Sequence, residues 1–368
     1  MRVAVLFGGR SGEHEVSINS AASVIAALDK EKYEVVPVAI TKEGRWLFNA
    51  DLVEAQQSGS FGRGSIAGTL LADPTKKGFA LFNKGEGVLS IKQEPVDVII
   101  PILHGTYGED GTVQGLLELS NIPYVGAGVL ASALGMDKVM MKTVFAQHGL
   151  PQTDFRAVLR RDVEENLQKV VTEIEEALGY PSFVKPANLG SSVGISKAKN
   201  RDQLADALRE AARYDRKLIA EKGVNAREIE VSVLGNDVPE ASLPGEIIPS
   251  NEFYDYEAKY LDGKSQLIIP ADLPPETVEE VRRLAGAAFK AIDCSGMARV
   301  DFFLTRDTGE VLVNEINTIP GFTRFSMYPK LWEASGLSYG RLLDRLIELA
   351  IERHADKNRS ETTYSIYH

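Results

Sequence analysis

Two apolar segments late in the chain carry their polar residues two apart: Met297-Ala298-Arg299-Val300-Asp301 and Val311-Leu312-Val313-Asn314-Glu315-Ile316-Asn317. Both read as short strands, in which residues i and i+2 point to one face. Arg299 and Asp301 then share a face of one strand, and Glu315 and Asn317 share a face of the other. Three oxygen-bearing side chains and one guanidinium can converge. Such a set suits Mg²⁺, which binds few protein groups and keeps substrate phosphates as the rest of its shell. The competing reading is a solvated sheet face with an ion pair. The apolar residues flanking the carboxylates favour burial.

The chain has 368 residues, enough for two or three domains with ample core. It is 44% hydrophobic and 25% charged, the balance of a soluble globular protein. Its formal net charge of -11 argues against a general nucleic-acid role, which needs a concentrated basic face. The single cysteine, Cys294, cannot form an intramolecular disulfide and reads as a small core residue. The N-terminal apolar run Val3 to Phe7 is too short for a signal-peptide core, and no apolar stretch approaches a membrane span. A cytoplasmic location is the expectation.

Val3 to Phe7 reads as a buried parallel strand. Glycines follow, then a helix from about Ser17 to Leu28 and a second strand from Tyr33 to Ile40. This is βαβ rhythm. Residues 50–90 are rich in Gly, Ser and Lys and give no clear element. Val96 to Leu103 is again a buried strand, ending at His104-Gly105. Ligands of open α/β sheets sit beyond the carboxyl ends of strands. The early glycine motif and His104-Gly105 both lie there. A helix spans about Lys138 to His148 and stops at Gly149-Leu150-Pro151. Further helices are expected over 163–178 and 201–213, and strands at Leu218 to Lys222 and Glu228 to Val233. Gly245 to Leu273 is long and strand-poor, as a functional loop would be.

No Walker A pattern is present. Gly126-Ala127-Gly128-Val129-Leu130-Ala131 fits a loose dinucleotide fingerprint, but no acidic residue lies near position 148, which argues against NAD. The run Gly190-Ser191-Ser192-Val193-Gly194 is a better phosphate cradle. Its glycines admit phosphate oxygens to the backbone N–H groups, and Ser191 and Ser192 add donors. Lys185 just upstream adds a positive charge. An ordinary hairpin is the alternative. Glu13, just past the first strand, is open to two readings: a ligand for a substrate, or a helix-start carboxylate that complements the dipole. His104 is likewise open to a structural or a substrate role.

The chain resembles the D-alanine–D-alanine ligase family of ATP-grasp ligases. The resemblance rests on Asp301, Glu315-Ile316-Asn317 and Pro320-Gly321-Phe322-Thr323, on Gly8 to Ser17, on His104 to Gly111, and on Tyr254-Asp255-Tyr256-Glu257-Ala258-Lys259-Tyr260. It runs from about residue 3 to about residue 350. It implies an α/β chain with the ATP-grasp fold behind an N-terminal Rossmann-like domain. The expected divisions are 1–138, a substrate-binding domain; 139–215, a small central domain; and 216–368, a C-terminal domain with the metal and catalytic site.

The resemblance also implies roles. Glu13 holds the ammonium of a first D-alanine, partnered by Ser191 and Tyr260, with His104 near the same substrate. Lys138 and Lys185 bind ATP phosphates beneath the loop that carries Ser192. Glu221 and Glu228 hold adenine and ribose, and backbone groups of Lys222 and Val224 line the base pocket. Asp301, Glu315 and Asn317 hold two Mg²⁺ ions, for which Mn²⁺ can substitute. Arg299 and the Gly321 N–H stabilise the transition state. Lys259, Ser326 and Met327 bind the second substrate's carboxylate. The implied activity is ATP-dependent ligation of two D-alanines for peptidoglycan, by a homodimer with no nucleic-acid or membrane partner. A D-alanine–D-lactate ligase, another carboxylate–amine ligase, and a non-catalytic nucleotide-binding regulator are the alternatives.

Overall fold

The computed structural model describes residues 1–62, 64–84, 89–190, 193–248 and 266–361. The chain opens with β1 (Arg2–Gly8), α1 (His14–Ala27) and β2 (Glu34–Ile40), followed by β3 (Trp46–Phe48), α2 (Leu52–Ser58), β4 (Ile66–Leu70), β5 (Gly78–Lys84), β6 (Leu89–Pro95) and β7 (Val98–Ile102). These strands make one sheet in the order β6-β5-β4-β3-β2-β1-β7. Among these described strands β1 pairs in parallel with β2 and with β7, and the others pair antiparallel. Residues 50–90, which gave no clear elements by pattern, supply an antiparallel extension on that parallel core.

Val3 to Phe7 are all fully buried, because both faces of the sheet are covered. Val3, Val5 and Phe7 pack with α1 residues, and Ala4 and Leu6 pack on the opposite face. Glycine is required where β1 ends. Gly8 has φ +88°, and a Cβ there would sit 2.3 Å from the Ile40 carbonyl oxygen. Ser17 then stitches the strand ends: Gly8 N donates to its hydroxyl at 2.7 Å, and that hydroxyl donates to the Ile102 carbonyl.

The chain continues through α3 (Thr112–Ser120), α4 (Val129–Met136), α5 (Lys138–Gln147), β8 (Phe155–Leu159), α6 (Arg160–Leu178), β9 (Ser182–Pro186), β10 (Ser196–Ala198), α7 (Arg201–Tyr214) and β11 (Lys217–Lys222). A second, antiparallel sheet has the order β10-β9-β11-β8 and is backed by α6 and α7. Strand β11 lies beyond the boundary expected at 215/216, yet it is central to this sheet, paired with both β8 and β9.

The last sheet is antiparallel. It comprises β12 (Ala226–Gly235), β13 (Glu240–Ala241), β14 (Gly245–Ile248), β15 (Gln266–Ile268), then, after α8 (Pro275–Ala291), β16 (Gly296–Thr305) and β17 (Val311–Asn317). Its order is β15-β14-β12-β16-β17, with β13 also on β12. Met141 and Phe145 of α5 share a core with α8 and this sheet. On another side, Val139 of α5 packs with Ala187 and Ile219 of the second sheet region. Helix α5 therefore touches both sheets rather than belonging to the second alone. The chain closes with α9 (Met327–Ala334) and α10 (Tyr339–Lys357). Leu342, Leu346 and Ile347 of α10 return to the core beneath Val3, Val5 and Phe7, so the end of the chain secures its beginning.

Candidate active site

The two polar-patterned segments are neighbouring strands. In the β16–β17 ladder Arg299 lies opposite Asn317 and Asp301 opposite Glu315, with a register shift just after Asp301. Directly opposed residues of an antiparallel pair point to the same face. Bulges of this kind re-aim side chains beside active sites. On the other flank of β16, Glu230 of β12 lies opposite Asp301. Glu230, Asp301 and Glu315 thus form one row across three strands. Glu230 was not singled out from sequence, although Glu228, Glu230 and Ser232 alternate along an otherwise apolar strand.

Arg299 is the centre of this face. Its Nε and Nη2 donate to the two Asp301 oxygens at 2.6 and 2.7 Å, and Nε lies 3.0 Å from Glu230. Burial opposes the charge, but the carboxylates of Asp301 and Glu230 outweigh it and hold the guanidinium pKa well above its usual value. Asn317 Nδ2 donates to Asp301 at 3.0 Å. Asp301, Glu315 and the Asn317 amide form an all-oxygen donor set of the kind Mg²⁺ takes with phosphates completing its shell. Among the described residues no cluster of three His, Cys, Asp or Glu side chains has metal-site geometry. Two carboxylates and an amide fit a cation that depends on its substrate for the remaining ligands.

A cleft of about 720 Å³ lies between the second and third sheets. Lys185, Glu221, Lys222, Val224, Glu228, Arg299, Asp301 and Glu315 all line it. Phe183, Ile195 and Ile248 give it apolar walls, and Lys197 adds a cation that sequence reading passed over. Lys138 and Asn317 are not among the lining residues, but each neighbours one that is, Glu315 and Asp301 respectively. Lys138 Nζ donates to the Leu189 carbonyl at 2.8 Å, just before the glycine-serine loop, and stands 3.9 Å from Glu315.

Lys185 is held by Glu221, whose other oxygen lies 2.8 Å from Lys142 Nζ. Burial alone would raise the Glu221 pKa, but the two ammonium groups bring it down to about 2. A carboxylate with a lowered folded-state pKa stabilises the fold above its unfolded value and loses that contribution as pH falls. On the order of 3 kcal/mol of stability is therefore present above about pH 4.5 and disappears toward about pH 2. Unfolding free energies between pH 6 and 3 should fall more steeply for the natural protein than for Glu221→Gln. Parallel curves would contradict this assignment of the acid sensitivity.

The first-sheet motifs meet the same region from the other side. Ser11 Oγ donates to the His104 carbonyl at 2.7 Å, and Glu13 N donates to Ser11 Oγ at 3.2 Å. The Glu13 carboxylate lies against two glycines. A Cβ on Gly105 would come within 2.7 Å of it, and one on Gly190 within 3.0 Å. Gly190 opens the candidate phosphate loop, so Glu13 stands where the first sheet meets that loop. His104 is buried. Its Nδ1 is 3.1 Å from the Ile319 carbonyl oxygen and 3.5 Å from Glu109, and its Nε2 is 3.2 Å from Ser20 Oγ. Every polar atom of the ring is engaged within the protein. His104 thereby ties the strand end to the turn before Gly321. That turn is closed by Ser326, whose hydroxyl accepts from Thr323 N at 3.1 Å and lies 3.2 Å from where a Gly321 Cβ would be. Met327 follows, buried against Ile247 and Leu331. Ser191, Ser192, Lys259 and Tyr260 lie outside the described residues.

Three sheets in this succession, with a polar cleft between the second and third, are the ATP-grasp fold behind a Rossmann-like domain. Residues 2–127 match the family model described as the D-ala D-ala ligase N-terminus, and residues 144–348 match the D-ala D-ala ligase C-terminus. The D-alanine–D-alanine ligase of Thermoanaerobacter sp. (strain X514) is 56% identical over 359 residues, 97% of this chain and 98% of that protein. That of Heliobacterium modesticaldum is 53% identical over 98% of this chain and 97% of its own length. Among solved structures, the D-alanine-D-alanine ligase from Coxiella burnetii superposes with a TM-score of 0.81 at 39% identity, covering 98% of this chain and 96% of that one. The VanG D-Ala:D-Ser ligase from Enterococcus faecalis does so with a TM-score of 0.84 at 35% identity, covering 95% and 99%. The chain belongs to the D-alanine–D-alanine ligase family.

Proposed function

We propose that this protein joins two D-alanine molecules into D-alanyl-D-alanine, with conversion of ATP to ADP and phosphate. The observation that carries this reading is the meeting of Glu13 with Gly190. It brings a carboxylate suited to an amino-acid ammonium against a loop suited to ATP phosphates. In the first step, a carboxylate oxygen of one D-alanine attacks the γ-phosphorus and the bond to ADP breaks, giving an acyl phosphate. The amine of the second D-alanine then attacks the acyl carbon, and phosphate leaves. Glu13 holds the first ammonium, and Lys138 and Lys185 hold phosphate oxygens. Glu221, Glu228 and the backbone of Lys222 and Val224 hold the nucleoside. Bound Mg²⁺ would neutralise charge on the transferring group, and the donors available for it are Asp301, Glu315 and Asn317. Arg299 and the Gly321 N–H are suited to stabilise oxyanion charge. The N-terminal end of α9, at Ser326 and Met327, suits a second substrate's carboxylate.

The product would serve peptidoglycan synthesis in the cytoplasm, from a homodimer. No described helix is long and apolar enough to cross a membrane. The fold match to a D-Ala:D-Ser ligase makes the second substrate the point to test. Incubation with ATP, Mg²⁺ and D-alanine, alone or with D-serine or D-lactate, followed by mass spectrometry, should give D-alanyl-D-alanine as the main product. A D-alanyl-D-serine or depsipeptide product in excess would move the specificity. ADP release independent of any D-amino acid would remove the ligase reading.

A further inference from the structure

Helix α5 carries two lysines one turn apart, so they share a face. Lys138 reaches the candidate phosphate loop. Lys142 points into the protein instead. It is 1% exposed, its Nζ lies 2.8 Å from Glu221 Oε1 and 3.3 Å from Thr153 Oγ1, and it stands over the Phe155 ring. Glu221 turns its second oxygen to Lys185, which lines the cleft. Two ammonium groups thus share one carboxylate, with Glu315 and Glu228 also acting on Lys185. A buried lysine is among the costliest side chains to desolvate, and a one-to-one pair of Glu221 with Lys185 would already be neutral. The extra cation has one physical effect: it fixes the Glu221 carboxylate from behind, so that Lys185 is held at one point on the cleft wall.

We infer that Lys142 is a positioning residue for nucleotide binding: acting through Glu221, it fixes Lys185 where that ammonium can meet a polyphosphate. This rests on the cleft being the nucleotide site. Lys142 itself lies behind Glu221 and is not among the residues lining the cleft.

The experiment is calorimetric titration of the full-length protein with ATP, ADP and adenosine. It uses the natural protein, Lys142→Met, Glu221→Gln and the double variant. Lys142→Met should bind ATP and ADP about tenfold more weakly, the scale of one hydrogen bond to a charged group, and adenosine, which meets Glu221 but carries no phosphate for Lys185, by clearly less. In the Glu221→Gln background the same substitution should change ATP affinity less than about twofold, because the path through Glu221 is already cut. Equal weakening of ATP and adenosine would make Lys142 a purely structural residue and overturn the inference. So would unchanged ATP affinity, or full additivity in the double variant. If Lys142→Met does not fold, Lys142→Gln, which keeps a polar side chain in the buried position, decides. It removes the ammonium from Glu221 and should weaken ATP more than adenosine; equal effects on both overturn the inference. Failure of the natural protein to bind ATP would instead overturn the nucleotide reading of the cleft.

Discussion

Glu315→Gln should lower kcat by at least about two orders of magnitude, because charge stabilisation around a transferring phosphoryl group is worth several kcal/mol. The substitution keeps the size of the side chain and its place opposite Asp301 in the β16–β17 ladder. It removes one of the two carboxylates in the candidate metal set. It also removes a negative charge that stands 3.9 Å from Lys138. The residue is partly accessible at the edge of the cleft rather than in the core, so folding should be retained, and a thermal melt within a few degrees of the natural protein is expected. Turnover measured at saturating ATP and D-alanine and ordinary Mg²⁺ is the test. Near-natural turnover there would take Glu315 out of the site.

That site was legible in the sequence because strands have a period of two. Once Arg299, Asp301, Glu315 and Asn317 were read as strand residues, only the pairing of the strands remained to be supplied, and β16 and β17 pair in the register that opposes them. The same period hides in Glu228-Ile229-Glu230-Val231-Ser232, yet Glu230 was not singled out. Its importance comes from lying opposite Asp301, and no local pattern reveals a partner about 70 residues away. Lys142 was illegible for another reason. Within Lys138-Val139-Met140-Met141-Lys142 a lysine reads as solvated helix surface, the usual place for that side chain. Only tertiary packing reveals that this helix is wedged between two sheets, with a carboxylate waiting on each side.

The domain limits show the same division. A boundary at 215/216 follows the end of a helix and the start of a strand, a sensible place by composition. Strand β11 is nonetheless inserted between β8 and β9, since sheet membership is decided by edge pairing and not by chain order. Residues 50–90 resisted reading because short strands rich in Gly, Ser and Lys have weak alternation. Their order comes from successive antiparallel pairing onto the parallel core.

Glu13→Gln should reduce peptide formation at least about a hundredfold, since losing one half of a desolvated ion pair commonly costs about 3–5 kcal/mol. Two readings of Glu13 compete. In one it complements the start of α1; in the other it holds a substrate ammonium. Glu13 does occupy the N-cap of that helix, but its carboxylate makes no capping hydrogen bond to the first turn. It is directed instead toward Gly105 and Gly190, both of which lack the side chain that would fill its space. A purely helical role predicts a stability loss on the order of 0.3–1 kcal/mol with catalysis intact. The substrate role predicts the reverse: a nearly unchanged melting temperature, ATP affinity within about twofold because the cleft lining does not include Glu13, and loss of ligation. The three measurements on one variant separate the readings. A slightly less stable but fully active enzyme would leave Glu13 as a helix-start residue and require another group for the ammonium.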